Sequence, residues 1–280
     1  MIPAPDLLVV GGLTVDRLAN GSTVAGGSVL HAARAAAASG RQVATITAAG
    51  PEPDVAAAID ELAALGPSLV HRADTSIGYA IRESPGGRRL TLLEPGSPVP
   101  LTSGPLHALR PRAVLLAPVA GELLPPDVVT GRMAPVAVAA LQGWLRRLVP
   151  GKEARPLGLR ALGGELAAAL AEFDALVASE EDLAAVAGTP EGQLNALRRH
   201  LGAGPLLVVT IGARGAWLDD ASAGRRRVPT RRRLAQISTI GAGDAFAALL
   251  TLELLARHDP IAAGARAVAA TAALLAARRV

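Results

Sequence analysis

The chain has no cysteine among its 280 residues, which excludes a disulfide framework and any thiolate metal site. Its five histidines, His31, His71, His107, His200 and His258, show no ligand spacing such as His-x3-His, an argument against a structural or catalytic zinc. The single lysine, Lys152, stands in Pro-Gly-Lys-Glu and not in Gly-x4-Gly-Lys-Ser/Thr, so there is no P-loop. No uninterrupted apolar run approaches the roughly 18 to 20 residues needed to cross a bilayer. The start, Met1-Ile2-Pro3-Ala4-Pro5-Asp6, lacks the basic stretch and cleavage site of a signal peptide. A soluble cytoplasmic protein with no membrane partner is expected.

Aromatic residues are also scarce: two Trp, one Tyr and two Phe. That bears on the most conspicuous charge feature, six arginines between Arg225 and Arg233 in a chain of net charge +4. Nucleic-acid binding would set such a run beside stacking rings or on a recognition element, and neither is evident. Interrupted by Val228-Pro229-Thr230, the run reads as a solvated strand and turn with no nucleic-acid partner.

What the chain has in quantity is apolar sequence, half of all residues, arranged as short runs alternating with alanine-rich helical stretches. This is the pattern of βα units around a mostly parallel sheet. Strands are predicted at Leu7 to Val10, Gln42 to Ala48, Ser68 to Arg72, Ala113 to Ala117, Pro135 to Ala140, Asp174 to Ala178 and Leu206 to Ile211. Helices are predicted at Ser28 to Ser39, Pro53 to Leu65, Gly164 to Ala171, Glu180 to Ala187, Glu191 to Leu201, Ala242 to Arg257 and Pro260 to Arg278. The rhythm breaks where Ile77 to Glu83 and Arg88 to Leu93 alternate around Pro85-Gly86-Gly87, the signature of a hairpin flap. With no repeat and no long linker, one α/β domain spanning residues 1–280 is expected, carrying a small β flap.

The densest chemical signal is Ser238-Thr239-Ile240-Gly241-Ala242-Gly243-Asp244-Ala245-Phe246. Gly241 and Gly243 let backbone approach an anion with no Cβ in the way, and unpaired N–H groups at a helix start stabilise negative charge. Asp244 follows in the first helical turn, where the helix dipole favours its ionised form. A tight turn with a helix cap would use the same residues. The dinucleotide fingerprint is excluded, because Phe246 stands where its third glycine belongs. A second pair, Gly26-Gly27, opens the first long helix, either to bind hydroxyls or anions or to let that helix approach the sheet.

Taken in order, these pieces resemble the ribokinase-like, or pfkB-type, carbohydrate kinase family. The similarity runs through Asp6 to Asp16, where an early strand ends in Gly and an aspartate follows. It continues through Gly26-Gly27-Ser-Val-Leu-His31-Ala-Ala-Arg, Gly40-Arg-Gln-Val-Ala-Thr-Ile, Val209-Thr210-Ile-Gly212-Ala-Arg-Gly215-Ala and Ser238 to Phe246. The resemblance implies a Rossmann-type three-layer core with a mostly parallel central sheet and a β lid near 13–25 and 75–93. It implies transfer of the ATP γ-phosphoryl to a hydroxyl of a small sugar or cyclic polyol, with Mg2+ as the accompanying metal.

Carried over residue by residue, the resemblance makes Asp244 the catalytic base and gives Gly241, Ala242 and Gly243 the backbone N–H groups for the migrating phosphoryl. Asp16, Gly26, Gly27 and His31 would face the acceptor, with Gln142 and Arg146 beside them. Thr210, Gly212 and Gly215, with Gly241 and Gly243, would border the nucleotide. Asp182 and Glu181 would reach magnesium through water.

The chain departs from the family pattern at three places. His31 replaces a frequent Asn, Ser179-Glu180-Glu181-Asp182 stands for Asn-x-x-Glu, and Ser238 replaces the signature's leading Asp. Two alternatives stay open: a non-catalytic sugar- or nucleotide-binding protein on the same fold, and a kinase of a nucleoside or vitamin-precursor alcohol. A homodimer through the lid is a further option that the resemblance brings.

Overall fold

The computed structural model describes residues 4–84, 87–230, 239–256 and 259–277. Met1 to Pro3, Pro85, Gly86, Arg231 to Arg233, Ser238, Arg257, His258 and Arg278, named above, lie outside the described residues. In chain order the elements are β1 (Leu7–Gly11), β2 (Thr14–Arg17), β3 (Thr23–Gly26), α1 (Ser28–Ala38), β4 (Val43–Ala49), α2 (Pro53–Leu65), β5 (Ser68–Arg72), β6 (Ile77–Ser84) and β7 (Gly87–Glu94). Then come α3 (Ser103–Leu109), β8 (Val114–Ala117), α4 (Pro125–Gly131), β9 (Ala137–Ala140), β10 (Arg146–Arg147), β11 (Arg155–Pro156), α5 (Gly163–Leu170) and β12 (Ala175–Ser179). The chain closes with α6 (Pro190–Leu201), β13 (Leu206–Thr210), β14 (Ala216–Asp220), β15 (Gly224–Val228), α7 (Ala242–Ala256) and α8 (Pro260–Ala277).

Nine strands form one sheet in the order β15-β14-β13-β12-β9-β8-β1-β4-β5. Pairing is parallel from β13 across to β5, and antiparallel only for β13–β14 and β14–β15. The near-continuous apolar strands are what burial on both faces demands. In β1, Leu7 and Val9 face one core and Leu8 and Val10 the other. Helices α1, α2, α7 and α8 cover the first face, and α4, α5 and α6 the second. The expected α/β three-layer core is therefore present.

Helix ends follow the local chemistry. Thr189 caps α6 by accepting from Gly192 N at 3.2 Å, Pro190 fills its first turn, and Gly202 closes it at φ +75°. Glu180 to Ala187, predicted as a helix, is instead a chain of turns. There the Asp182 carboxylate bonds back to Ser179, and backbone bonds of both i+3 and i+4 type alternate, so no regular ladder forms.

A separate four-stranded sheet, ordered β3-β2-β6-β7, stands over the carboxyl end of β1. It is mixed, since β2 pairs antiparallel with β3 but parallel with β6. Its inner face buries Ile77, Tyr79, Ile81 and Leu92 against Val119. The edge of β7 is covered by the segment joining β10 and β11, here called the clasp. Gly151 N donates to Leu92 O at 2.8 Å, Leu92 N to Lys152 O at 3.2 Å, and Ala154 N to Leu90 O at 2.7 Å.

Helix α8 has the length and mean hydropathy of a membrane span, 18 residues at 1.5. Arg266 interrupts it, so it is not a continuous apolar run. In the fold, Ala263, Ala267, Val268, Thr271, Ala272 and Leu275 are buried on one face of it, and the helix lies against α7.

Candidate active site

In the central sheet β1 lies between β4 and β8, so the chain leaves β1 in one direction and returns on the other side. Ligands of open α/β sheets bind beyond the carboxyl ends of strands near such a switch point. A crevice of about 620 Å³ lies on that side, formed by the ends of β9, β12 and β13, the first turn of α7, and residues of β7 and the clasp.

Asp244 stands on its floor, half-buried, in the first turn of α7. Burial pushes its carboxyl up to about 6 from an ordinary value of 3.8; Arg146 works against the rise, whereas Asp182 and Asp16 add to it. Next to it, Gly243 is exposed, and a Cβ built there would meet nothing within 4 Å. Gly241 is different. Its φ is +71°, and a Cβ would lie 2.2 Å from the His31 ring, so His31 is seated directly against the turn that begins α7. Of the three amides the resemblance assigns, that of Ala242 already donates to Thr239 O at 3.1 Å. The N–H of Gly243 belongs to the first helical turn, where backbone donors have no intrahelical carbonyl acceptor, and that of Asp244 serves its own carboxyl.

Arg146 and Asp182 form the second half of the site. The guanidinium reaches Asp182 Oδ1 through Nε at 2.8 Å and Nη2 at 2.7 Å, with Arg146 at 19% side-chain exposure and Asp182 at 4%. Burial disfavours the Arg146 charge, but the Asp182 carboxylate more than offsets it and leaves the group raised. The other oxygen, Oδ2, accepts from Ser179 Oγ at 2.6 Å and Ser179 N at 3.2 Å, while Ser179 Oγ accepts from Asp182 N at 3.0 Å. Ser179 and Asp182 thus bind each other reciprocally, as capping pairs do.

Asp16 is buried on β2 and accepts from Thr14 Oγ1 at 2.9 Å. Gly26 makes room for it, because a Cβ would fall 2.3 Å from Asp16 Oδ2. Gly27, at φ +97°, lets α1 start against Gly12, whose carbonyl oxygen would be 2.3 Å from a Cβ. Gln142, Arg146, Glu181, Asp182, Thr210, Gly212, Ala242, Gly243 and Asp244 line the crevice. Asp16, Gly26, Gly27, His31, Gly215 and Gly241 do not. Asp16 bears on the crevice through its charge beside Asp244, and His31 through Gly241. Gly215 serves the β13–β14 turn, where φ is +102° and a Cβ would lie 2.0 Å from Val228 O. Trp144 is a core plug, its indole donating to Leu123 O at 2.9 Å.

Two groups of residues have no role assigned from the sequence, although Arg89 and Leu90 fall within the predicted lid. Arg89, Leu90, Glu153 and Arg155 join the crevice only because the clasp pairs with β7. Glu122 is buried at 4% exposure and accepts from Val119 N at 2.9 Å and Ala120 N at 2.7 Å. Burial pushes its carboxyl up, against those backbone donors. It fixes the loop after β8 beside Gly12.

The donor set for a metal is thin. Among the described residues no group of three or more His, Asp or Glu side chains could hold an ion. Both Asp182 oxygens are engaged and Glu180 is paired with Arg214, which leaves Glu181 exposed on the wall. These residues do not build a magnesium cage of their own.

Residues 156–279 match the pfkB family carbohydrate kinase model. Solved structures extend the likeness over the whole chain. A pyrophosphate-dependent kinase in the ribokinase family, complexed with a pyrophosphate analog and myo-inositol, superposes with a TM-score of 0.77 at 15% identity, covering 96% of this chain and 95% of that one. The fold is ribokinase-like. Arabidopsis thaliana ribokinase complexed with ribose and ATP gives 0.73 at 17% identity, with 98% and 94% covered. Schistosoma mansoni adenosine kinase in complex with 2-fluoroadenosine gives 0.74 at 14%, with 98% and 96% covered. No curated protein matches the sequence. At these identities the likeness to the solved structures is one of fold, and the ribokinase-like fold joins kinases of several acceptors.

Proposed function

We propose that the chain is an ATP-dependent phosphotransferase that moves the γ-phosphoryl of ATP to a hydroxyl of a small sugar or cyclic polyol. The observation that carries this reading is the position of Asp244: a carboxyl with its pKa pushed up to about 6, on the floor of an open crevice, one residue after a glycine beside which a Cβ would meet nothing within 4 Å. A base with that pKa is ionised at neutral pH and retains affinity for a proton.

In the reaction the acceptor oxygen forms a bond to phosphorus as the bond from phosphorus to the departing diphosphate oxygen breaks. Asp244 takes the acceptor's proton. The Gly241, Ala242 and Gly243 amides stabilise charge on the migrating group, that of Ala242 once its turn bond to Thr239 yields. Phosphoryl transfer depends chiefly on such positioning and electrostatics. Arg146 holds Asp182 and keeps one cation beside Asp244. Asp16, with Gly26 packed against it and Gly27 beyond, supports acceptor hydroxyls together with His31 and Gln142. Thr210 and Gly212 border the nucleotide, with Gly215 shaping the adjoining turn. Magnesium would arrive on the nucleotide phosphates and meet Glu181 and Asp182 through water, where it would neutralise phosphate charge.

The reading places the protein in the cytoplasm. A homodimer through the small sheet would use β3, since the clasp occupies the edge of β7.

Purified protein should form ADP from ATP only when a suitable polyol is present. Asp244→Asn should lower kcat by about 10² to 10⁴; full turnover in that variant would refute the base assignment. Because one fold neighbour is pyrophosphate-dependent, pyrophosphate is assayed beside ATP, and exclusive use of it would overturn the donor assignment alone.

A further inference from the structure

The clasp and the small sheet share a register that aligns four arginines. Arg82 is paired with Arg89 across β6 and β7. The antiparallel bridge Thr91–Glu153, with Ala154 N donating to Leu90 O, sets Arg89 opposite Arg155. Arg155 is in turn paired with Arg147 across β11 and β10. The result is one rung of guanidinium groups on four adjacent strands.

Like charges directly opposite in a sheet repel, and strands are only about 4.7 to 5.5 Å apart. The offset is slight. Glu153 approaches Arg89 at 3.7 Å with both side chains well exposed, and Arg82, Arg147 and Arg155 form no ion pair among the described residues. The rung is also not at random on the surface. Its middle members, Arg89 and Arg155, line the crevice that holds Asp244, and Arg155 and Arg147 line an adjoining hollow of about 410 Å³ with Lys152.

Two members of the rung, Arg89 from β7 and Arg155 from β11, therefore line the same crevice as Glu180, Glu181 and Asp182 at the end of β12. We propose that this rung is an anion subsite for the acceptor: the molecule phosphorylated here is a sugar or polyol that already carries a phosphate or carboxylate, gripped by Arg89 and Arg155. The inference rests on the kinase reading of Asp244. Assignment to the acceptor and not the donor follows from the sheet involved, because β7 belongs with β2, which carries Asp16, whereas Thr210 and Gly212 stand at the end of β13 in the central sheet. Planar guanidinium forks suit phosphate and carboxylate alike.

The test compares matched probes by calorimetry: ribose with ribose 5-phosphate, myo-inositol with myo-inositol 1-phosphate, and gluconate as the carboxylate. We expect an anionic probe to bind at least about tenfold more tightly than its neutral counterpart at low salt, with the margin shrinking as NaCl rises. Arg155→Gln and Arg89→Gln should each bring the ratio to within about threefold, Arg155→Lys should restore part of it, and the KM for ATP should stay unchanged. Both positions are exposed, and melting curves of the variants verify the fold. Equal or tighter binding of the neutral probes, a preference that survives Arg155→Gln, or an effect confined to the KM for ATP would overturn the proposal. Arginine-dependent anion binding without phosphoryl transfer would sink the kinase reading and leave the subsite standing; turnover of neutral polyols with no anion preference would do the reverse.

Discussion

Gly241 and Gly243 are two residues apart in a turn and differ in what they tolerate. At Gly241 a methyl group would meet the His31 ring at 2.2 Å in a left-handed backbone of φ +71°, whereas at Gly243 it would meet nothing within 4 Å. Gly241→Ala should therefore lower stability by about 1–3 kcal/mol, and Gly243→Ala by less than about 1 kcal/mol. Thermal melts of the pair check this, and only Gly243→Ala should reduce activity while leaving the fold unchanged. Asp244 supplies a second residue-scale expectation, with its sign fixed by the direction of its shift. Its folded-state pKa of about 6 exceeds the ordinary 3.8, so the native state binds more protons between those values and stability falls as pH rises through that window. Asp244→Asn removes this penalty. The variant should melt about 2–4 °C above the wild type at pH 7.5, with the advantage fading toward pH 4. Wild-type kcat/KM should rise with pH through about 6, as ionisation frees the base.

At the scale of elements, the bond between Arg146 and Asp182 joins β10 to the end of β12 across 36 residues of sequence. Arg146→Met leaves a 4%-exposed carboxylate without its cation, at a cost of about 3–5 kcal/mol. The double variant Arg146→Met/Asp182→Asn should recover much of that in urea melts, and a double-mutant cycle measures how much. This pair also marks where sequence reading stops. The apolar strands and the helices with clear caps were legible because burial on both faces and capping leave period and punctuation in the chain. Asp244, Gly241 and Gly243 were legible for the same local reason, lying within four residues. Nothing local announced the clasp, since β10 and β11 are two residues each and are held by β7. The arginine rung exists only once residues 82, 89, 147 and 155 are brought together by strand pairing. Glu180 to Ala187 misled by composition: its residues favour a helix, but Ser179 and Asp182 spend their hydrogen bonds on each other.

For the whole molecule, close approach of helix to sheet rests on glycine. Gly264 on α8 meets Leu218 of β14 so closely that a Cβ would lie 2.3 Å from the leucine side chain. Gly264→Val should destabilise the chain by about 1–3 kcal/mol through overpacking, read as a lower urea midpoint at unchanged m-value. Strand β15, at one rim of the nine-stranded sheet, presents Arg225, Arg226 and Arg227 in sequence. Arg225 is tied to Asp219 and Asn195, while Arg226 and Arg227 form no ion pair among the described residues. An exposed rim is a template on which another chain can stack, and positive charge along it makes that stacking repulsive. Among the described residues, Arg226 and Arg227 thus set like charge against fibrous growth, most strongly in dilute buffer and less as counterions accumulate.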